Sequence, residues 1–337
     1  MRLKYFFIAL LISFPFWWGI NALSEKDGNL EFLPAFSKKS AIFPLWEKFY
    51  LRGLSAQVSQ PILGAEMPKE IPEPTRKSDI GEIEIGAKSA ISVWVDNSGQ
   101  KKVLFEKDSN QKLPIASLTK LMAAFIVLEY YDSSQIVKIP KEAVGRDEDL
   151  EKFRAGESFK TEDLLYSLLI ESSNGAVIAL ADLVGKDAFV ELMNLETKSI
   201  LGAEKSNTFF ANYTGLDPKN PEEQSNYSTV EDLADLAIYL LKEKPIIWAI
   251  LSYPDFDLYS SEGFFHHKIL STNELLGKIP EIIGGKTGET KQAEGCLVVL
   301  LESPNQRGFL INVILGSPDR FGEMEKLVDW LNSAYKW

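Results

Sequence analysis

The feature that most constrains the fold is the separation of two groups of strand-like segments by a long helical stretch. Residues 89–95 alternate in polarity, a turn follows at 96–99, and residues 103–105 return, which predicts a β-hairpin. Three more strand-like runs come late in the chain, over residues 283–287, 296–301 and 309–315. We therefore predict an α+β domain, in which an antiparallel sheet of about five strands is flanked by helices and accompanied by a mostly helical second lobe. A cleft is expected where the lobes meet.

The helical patterns fill the stretch between the two groups of strands and the end of the chain. They begin near Ser117 and recur over 161–171, 176–184, 188–201, 228–241 and 320–337. Ser228 and Glu231 have the spacing of a capping box, which predicts that the fifth helix opens there. We expect the first and last helices on one face of the sheet, with the others forming an insertion.

Composition excludes several classes of function. The chain has 337 residues, 45% of them hydrophobic, which suffices for one large domain with appendages or for two small domains. The net charge of −12 argues against a nucleic-acid-binding surface. Cys296 is the only cysteine, and the only histidines, His266 and His267, are adjacent, so no familiar zinc ligand set is present. We predict no metal and no other cofactor, and interpret both histidines as packing or surface residues.

The N-terminus has the charge order of a membrane-targeting segment. Arg2 and Lys4 precede the uncharged residues 5–24, and acidic residues follow. Residues 1–24 are therefore predicted to be a membrane anchor or signal segment, with the N-terminus cytoplasmic and the remaining chain on the extracytoplasmic face of the cell membrane. An uncleaved anchor is favoured, although a small-x-small site ending at Ser24 leaves cleavage and secretion open. Residues 25–80 are predicted to be a proline-containing spacer and residues 81–337 the folded domain.

Ser117 and Lys120 lie one helical turn apart at the start of an apolar helical pattern. The first turn of a helix offers free backbone N–H groups and the positive end of the helix dipole, and both stabilise developing negative charge. A lysine that packing shields from water can lose its proton and act as a base for the serine. The spacing alone is weak evidence, because it recurs at Ser98–Lys101, Ser109–Lys112 and Ser333–Lys336.

Two other short motifs fall where a cleft would need them. Ser172 and Asn174 lie between two predicted helices, where a hydroxyl and a carboxamide can hold a lysine, relay a proton or bind a peptide carbonyl. The alternative interpretation is a helix N-cap. The Lys286-Thr-Gly288 motif ends a predicted strand and suits a substrate carboxylate. A phosphate loop is excluded, because the required spacing of glycines before a Gly-Lys-Ser or Gly-Lys-Thr is missing.

Taken in order, Ser117-x-x-Lys120, Ser172-x-Asn174 and Lys286-Thr-Gly288 resemble the three signatures of the penicillin-binding protein and serine β-lactamase superfamily. Further segments resemble the low-molecular-mass D-alanyl-D-alanine carboxypeptidases of the S11 serine peptidase family. These segments are 116–122, 213–217, 227–234, 271–276 and 294–297. The resemblance covers about residues 85–337 and implies a β-lactamase/transpeptidase-like fold.

The resemblance also implies a role for each motif residue. Ser117 would attack the carbonyl between two terminal D-alanines of a peptidoglycan stem peptide, Lys120 would take the hydroxyl proton, and Ser172 and Asn174 would assist. Lys286 and Thr287, with Gly288 beside them, would hold the terminal carboxylate. The backbone N–H groups of Ser117 and Glu289 would form the oxyanion hole. β-Lactams would act as inhibitors.

The sequence leaves alternative functions open. A D,D-endopeptidase that cuts cross-links would use the same residues. A serine β-lactamase is less favoured, because Ser173 stands where a class A enzyme would want aspartate, and residues 222–226 only loosely imitate its glutamate box. A non-catalytic wall-binding protein would have no reason to keep Ser117, Lys120 and Lys286 together. Glu289 stands where many relatives carry an aromatic residue or histidine, and its charge is expected to oppose an anionic substrate.

Overall fold

The computed structural model describes residues 73–144, 152–220 and 222–337. The predicted anchor or signal segment, residues 1–24, lies outside the described residues, as does most of the predicted spacer. Within the described ranges, no helix is both long enough and apolar enough to cross a bilayer.

The predicted helices and the predicted strands of the sheet occur in the predicted order. The helices are α1 (Thr119–Tyr130), α2 (Thr161–Ile170), α3 (Asn174–Asp182), α4 (Lys186–Leu201), α5 (Val230–Glu243), α6 (Ile246–Leu251) and α7 (Arg320–Ala334). The strands are β1 (Thr75–Arg76), β2 (Ser89–Asp96), β3 (Lys101–Lys107), β4 (Leu113–Pro114), β5 (Ile136–Lys138), β6 (Ser158–Lys160), β7 (Tyr227–Ser228), β8 (Asp255–Tyr259), β9 (Phe265–Leu270), β10 (Ile282–Thr290), β11 (Glu294–Glu302), β12 (Gly308–Ser317) and β13 (Tyr335–Lys336). The sequence patterns do not predict α6, β1, β4 to β9 and β13.

The main sheet joins the early hairpin to the three late strands. Its order is β10-β11-β12-β2-β3, and every neighbouring pair is antiparallel. β2 pairs with β12 along its whole length, from Ser89 opposite Leu315 to Asp96 opposite Gly308. The predicted five-stranded antiparallel sheet in an α+β fold is confirmed.

The closing helix α7 covers one face of this sheet. Its residues Met324, Leu327 and Leu331 are fully buried. They belong to one hydrophobic core with Trp94 of β2 and Val299 of β11. On their other side, β12 and β2 contact α5, while β10 contacts α6. Helices thus cover both faces of the sheet, α7 on one face and α5 on the other. The edge strand β10 lies next to the helical lobe.

The predicted position of the first helix is wrong. α1 packs against α2 and α4 of the helical insertion rather than beside α7 on the sheet. The reason is its composition, since all nine residues from Thr119 to Val127 are buried. A helix that is apolar on every side must be surrounded, and only the interior of the helical lobe provides that environment.

Two element boundaries also differ from the sequence prediction. α7 ends at Ala334, and β13 then pairs with β1, so that Thr75 lies opposite Lys336 inside what was predicted to be spacer. The cap of α5 is Thr229 rather than Ser228, because the Thr229 hydroxyl accepts a hydrogen bond from the N–H of Asp232 at 3.1 Å. Ser228 instead hydrogen-bonds Thr208 at 2.6 Å between the two hydroxyl oxygens.

Candidate active site

Ser117 lies in a short 3-10 turn, Ala116–Leu118, that leads directly into α1. The preceding Ala116 has a φ of +46°, a left-handed conformation that costs a non-glycine residue free energy and is often found at functional sites. Gly215, itself at φ +82°, packs so closely on this turn that a Cβ there would overlap the carbonyl oxygen of Ala116. The turn that presents Ser117 is therefore held from outside by a distant loop.

Lys120 is fully buried and aims its ammonium nitrogen at Ser117. Its Nζ lies 2.9 Å from Ser117 Oγ, 2.9 Å from Asn174 Oδ1 and 2.9 Å from the carbonyl oxygen of Thr214. Ser117 and Lys120 lie close together because the 3-10 turn continues directly into α1. Asn174 and Thr214 come from other parts of the helical lobe. The lysine is thus fixed at hydrogen-bonding distance from a hydroxyl that it can deprotonate.

The Ser172–Asn174 segment connects α2 to α3 and faces both lysines of the predicted site. Ser172 has a φ of +64°, and its Oγ accepts a hydrogen bond from Lys286 Nζ at 2.8 Å. Asn174 accepts from Lys120, so neighbouring residues of one loop hold the two lysines. The N-cap interpretation applies to Ser173, whose hydroxyl accepts from the N–H of Ala176 at 3.1 Å.

Lys286 lies on β10 and is fully buried. Its Nζ also donates to the carbonyl oxygen of Thr287 at 2.9 Å. Burial lowers the pKa of Lys286 well below its usual value, and the positive charges of Lys120 and Arg320 lower it further. Two ammonium groups confined in one site repel each other, so the site favours the loss of a proton from one of them.

Gly288 allows β10 to approach the Ser117 turn. A Cβ at Gly288 would stand 2.9 Å from the backbone nitrogen of Ser117 and 3.1 Å from the Cβ of Ala116. Only glycine permits this contact without a shift of backbone. The start of the serine-bearing helix and the strand residues that precede Glu289 consequently face one small space, where two backbone N–H groups can stabilise an oxyanion.

Glu289 does not carry an unpaired negative charge. Its side chain is 65% exposed, and its carboxylate accepts a hydrogen bond from the Arg320 guanidinium at the start of α7. The expected repulsion of an anionic substrate is therefore offset by a neighbouring cation that the sequence did not reveal.

Three further contributors to the site were missed from the sequence. Thr214 acts through its backbone carbonyl, which has no side-chain signature. Thr272 shares a hydrogen bond of 2.6 Å with Thr287 between their hydroxyl oxygens, and Arg320 faces Lys286 closely enough to affect its pKa. Thr214 and Thr272 do fall in segments that resemble the peptidase family, and that resemblance was the only signal available.

The histidines contact neither Ser117 nor Lys120 among the described hydrogen bonds. His266 and His267 lie on β9, where their Nδ1 atoms are 2.6 Å apart. Each has a carboxylate at its other ring nitrogen, so they are satisfied groups in a cluster of their own.

Residues 74–319 match the model of the Peptidase S11 family, described as D-alanyl-D-alanine carboxypeptidase. The chain is similar to the D-alanyl-D-alanine carboxypeptidase DacF of Bacillus subtilis, with 30% identity over 74% of this chain and 63% of that protein. It spans only about three fifths of the length of the first curated relatives that it matches.

Solved structures show the same fold. A D-alanyl-D-alanine carboxypeptidase from Mycobacterium tuberculosis aligns with a TM-score of 0.65 and 26% identity, over 77% of this chain and 95% of that one. Penicillin-binding protein D2 from Listeria monocytogenes, in its ampicillin-bound form, aligns with a TM-score of 0.64 and 27% identity, over 75% of this chain and 100% of that one.

Proposed function

The chain belongs to the Peptidase S11 family, and from that premise we propose that it is a serine-type D-Ala-D-Ala carboxypeptidase that trims peptidoglycan stem peptides. The observation that carries the proposal is the buried Lys120, whose Nζ lies 2.9 Å from Ser117 Oγ. A wall-binding protein would have no use for that pair. The same two side chains supply a nucleophile and its base for acyl transfer.

In the proposed acylation step, Ser117 Oγ attacks the carbonyl carbon between the two D-alanines while Lys120 accepts the hydroxyl proton. The bond to the nitrogen of the terminal D-alanine breaks, and that nitrogen receives the proton taken by Lys120, relayed by the hydroxyl of Ser172, so that Lys120 is neutral again. Ser172 Oγ is held for this role by the hydrogen bond that it accepts from Lys286. The backbone N–H groups of Ser117 and Glu289 stabilise the oxyanion. One such donor is worth about 3–4 kcal/mol in other enzymes.

In the proposed deacylation step, water attacks the Ser117 ester and neutral Lys120 takes a proton from that water. Lys120 returns the proton to Ser117 Oγ as the ester bond breaks, and the shortened stem peptide leaves as a carboxylic acid. Asn174 keeps Lys120 aligned in both steps through its 2.9 Å hydrogen bond. Lys286 and Thr287 bind the carboxylate of the terminal D-alanine before it departs. The hydrogen bond between Thr272 and Thr287 supports the orientation of the Thr287 hydroxyl for that contact.

We further propose that residues 1–24 anchor the enzyme in the cell membrane with its catalytic domain on the extracytoplasmic face. The support is the order of charges around the uncharged residues 5–24. Peptidoglycan lies on that side of the membrane, so the proposed location and the proposed substrate agree.

The proposed activity is tested by D-alanine release. The full chain is incubated with a free pentapeptide ending in D-Ala-D-Ala and, separately, with a cross-linked peptide dimer. A carboxypeptidase releases D-alanine from the pentapeptide, and Ser117→Ala does not. Cleavage of the dimer alone would instead assign the endopeptidase activity, and no cleavage of either substrate would contradict both.

A β-lactamase would need a carboxylate aimed at a water near the acyl-enzyme. The carboxylates that adjoin the site motifs in the chain are held elsewhere, since Glu171 is hydrogen-bonded by His267 and Glu289 by Arg320. Asn226, in the segment that loosely imitates the lactamase box, instead braces the Ser117 helix through a 2.9 Å hydrogen bond to Thr119. We therefore expect a penicillin adduct to persist.

A further inference from the structure

A chain of four titratable side chains lies beside the proposed site and has no role in the proposed mechanism. The Nδ1 atoms of His266 and His267 are 2.6 Å apart. His266 Nε2 lies 3.2 Å from a Glu157 oxygen, and His267 Nε2 lies 3.1 Å from both oxygens of Glu171. Among the described residues no group of three or more such side chains is arranged to hold a metal ion.

The contacts determine how many protons the two histidines carry. Each Nε2 faces a carboxylate and must therefore bear a hydrogen, which accounts for two protons. The short Nδ1–Nδ1 contact requires one further hydrogen between the rings, because two lone pairs or two N–H groups would repel. Two neutral imidazoles carry two protons in total, so the pair holds one extra proton and a single positive charge.

The surroundings oppose a second positive charge on the pair. Burial lowers the pKa of His266, and the charge of His267 lowers it further, against Glu157, which raises it. For Glu171, burial raises the pKa, but hydrogen bonds from His267 and Ser167 with the nearby charges bring it below its usual value. A second positive charge on the pair is thus disfavoured, while the first is held between two carboxylates.

The other charged groups near the pair are accounted for. Lys152 Nζ lies 3.5 Å from the second oxygen of Glu171. On the paired strand β8, Asp255 and Asp257 bind Lys268, whose side chain alternates to the other face of β9. Glu157 also accepts a hydrogen bond from the N–H of Arg154 at 2.7 Å.

Glu171 connects this pair to the proposed site. It immediately precedes Ser172, whose φ of +64° is a strained conformation that needs support from its neighbours. Ser167 Oγ donates to Glu171 at 2.7 Å, and the carbonyl oxygen of Ser167 accepts from the N–H of Ser173 at 3.1 Å. Both sides of Ser172 are thereby tied to the end of α2, and His267 holds the carboxylate in that arrangement.

We propose that His267, paired with His266 through Nδ1, is a positioning residue that keeps Ser172 oriented toward Lys286 through Glu171. This inference rests on the proposed function, because it assigns Ser172 a part in acyl transfer. When the pH rises and the pair loses its extra proton, Glu171 loses its charged partner. The Ser172 loop is then held less firmly, and acylation slows.

The kinetic test compares the acylation rate constant with a labelled penicillin across pH for three variants and the wild-type full chain. His267→Leu removes the bond to Glu171 and is expected to slow acylation roughly 10- to 100-fold at every pH, the order of loss that follows from misplaced catalytic groups. His267→Gln keeps an uncharged donor and should recover most of that loss. Lys268→Gln, the matched control on the other face of β9, should leave the rate unchanged.

The ratio of the wild-type acylation rate to the His267→Gln rate measures the effect of the extra proton on the histidine pair, because other ionisations affect both enzymes equally. We expect a ratio of about 3 to 10 where the pair is charged, since charge-assisted hydrogen bonds are stronger than neutral ones, and a fall toward 1 at higher pH. A ratio that does not change with pH, or a His267→Leu enzyme as fast as wild type, would overturn the proposal while leaving the proposed function intact.

Nuclear magnetic resonance provides a readout that does not depend on activity. With ¹⁵N-labelled protein, the imidazole nitrogens should report three protons on the pair where it is charged, and the amide signals of Ser172 and Ser173 should shift as the pair loses its extra proton. In His267→Gln that shift should vanish. Amide signals of Ser172 and Ser173 that do not change when the imidazoles titrate would contradict the positioning role of His267. A chain that does not react with penicillin would instead refute the proposed function, and the amide measurement could still be made on it.

Discussion

At the scale of single residues, the site depends on charges that are buried together. Lys120 and Lys286 are both fully buried, and the loop from Ser172 to Asn174 contacts each of them. Such groups are stable in the interior only when they are hydrogen-bonded, and Lys120 has acceptors in Ser117, Asn174 and Thr214, while Lys286 has acceptors in Ser172 and Thr287. The arrangement prepares a serine for attack before any substrate arrives.

Glu289 and Arg320 are expected to set the affinity for an anionic substrate. Glu289→Gln should lower KM for a D-Ala-D-Ala peptide severalfold, because the Arg320 guanidinium would no longer be engaged by a carboxylate. Arg320→Gln should raise KM about 10-fold or more, since a charge-assisted hydrogen bond contributes about 1.5–3 kcal/mol. The measurement is steady-state release of D-alanine.

A peptide with an amidated C-terminus serves as the control for this pair of substitutions. Its slow turnover, if measurable, should respond to neither change because it has no terminal carboxylate. An unchanged KM in both variants with the ordinary peptide would mean that the pair does not face the substrate.

The residue scale also shows what sequence could and could not predict. Ser117, Lys120, Ser172, Asn174 and Lys286 were found because their spacings are local and recur in order. Thr214, Thr272 and Arg320 were not, because their contacts arise between segments that are distant in the chain. A backbone carbonyl leaves no mark on the sequence, and an arginine at a helix start is common on any protein surface.

At the scale of elements, the orientation of Ser117 depends on how a loop packs against the turn before α1. Gly215 and Ala116 both have positive φ angles, and they lie against each other. The helical periodicity of α1 predicts the helix but not its place, because spacing alone does not show how many sides of a helix are buried. Its buried residues in fact surround the helix. Likewise, two adjacent residues, Ser228 and Thr229, could each cap α5, and only tertiary contacts decide between them.

Gly215→Ala should abolish penicillin acylation. It should also lower the free energy of unfolding by more than the cost of placing an alanine at a positive φ angle. The added Cβ would overlap the carbonyl oxygen of Ala116, next to Ser117. Gly263→Ala is the matched control, because Gly263 has a φ of +86° and nothing within 4 Å of the added Cβ. That control should lose about 1–2 kcal/mol and keep its acylation rate.

Urea denaturation and penicillin labelling measure the two effects separately. Equal losses of stability in the two variants, together with normal labelling of Gly215→Ala, would show that the Ala116 turn does not depend on Gly215.

At the scale of the whole molecule, the sheet and the helical lobe are brought together at β10. Gly288 permits that strand to approach the Ser117 turn, while Lys286 reaches Ser172 across the junction. The five-stranded sheet was predictable because alternation is a local signal and because the late strands had only the early hairpin to join. The pairing of β1 with β13 was not, since two-residue strands carry no periodicity.

The proposed membrane anchor is tested on the full chain in cells. If residues 1–24 are uncleaved, the protein should retain Met1 and sediment with membranes. A variant that starts at Glu25, exported by an unrelated cleavable signal, should be recovered in the soluble fraction and still react with penicillin. Recovery of the wild-type protein as a soluble form starting at Glu25 would contradict the anchor and favour a cleaved signal.

Mass spectrometry of the intact protein after exposure to a penicillin tests whether Ser117 is a nucleophile activated by Lys120. We expect one added penicillin per chain, mapped to Ser117, stable over the experiment and absent in Ser117→Ala. Lys120→Ala should form it roughly 10²- to 10⁴-fold more slowly, as expected for the loss of a general base. Labelling that survives Ser117→Ala would contradict the assignment of the nucleophile, and rapid repeated turnover of the penicillin would contradict the assignment as a carboxypeptidase.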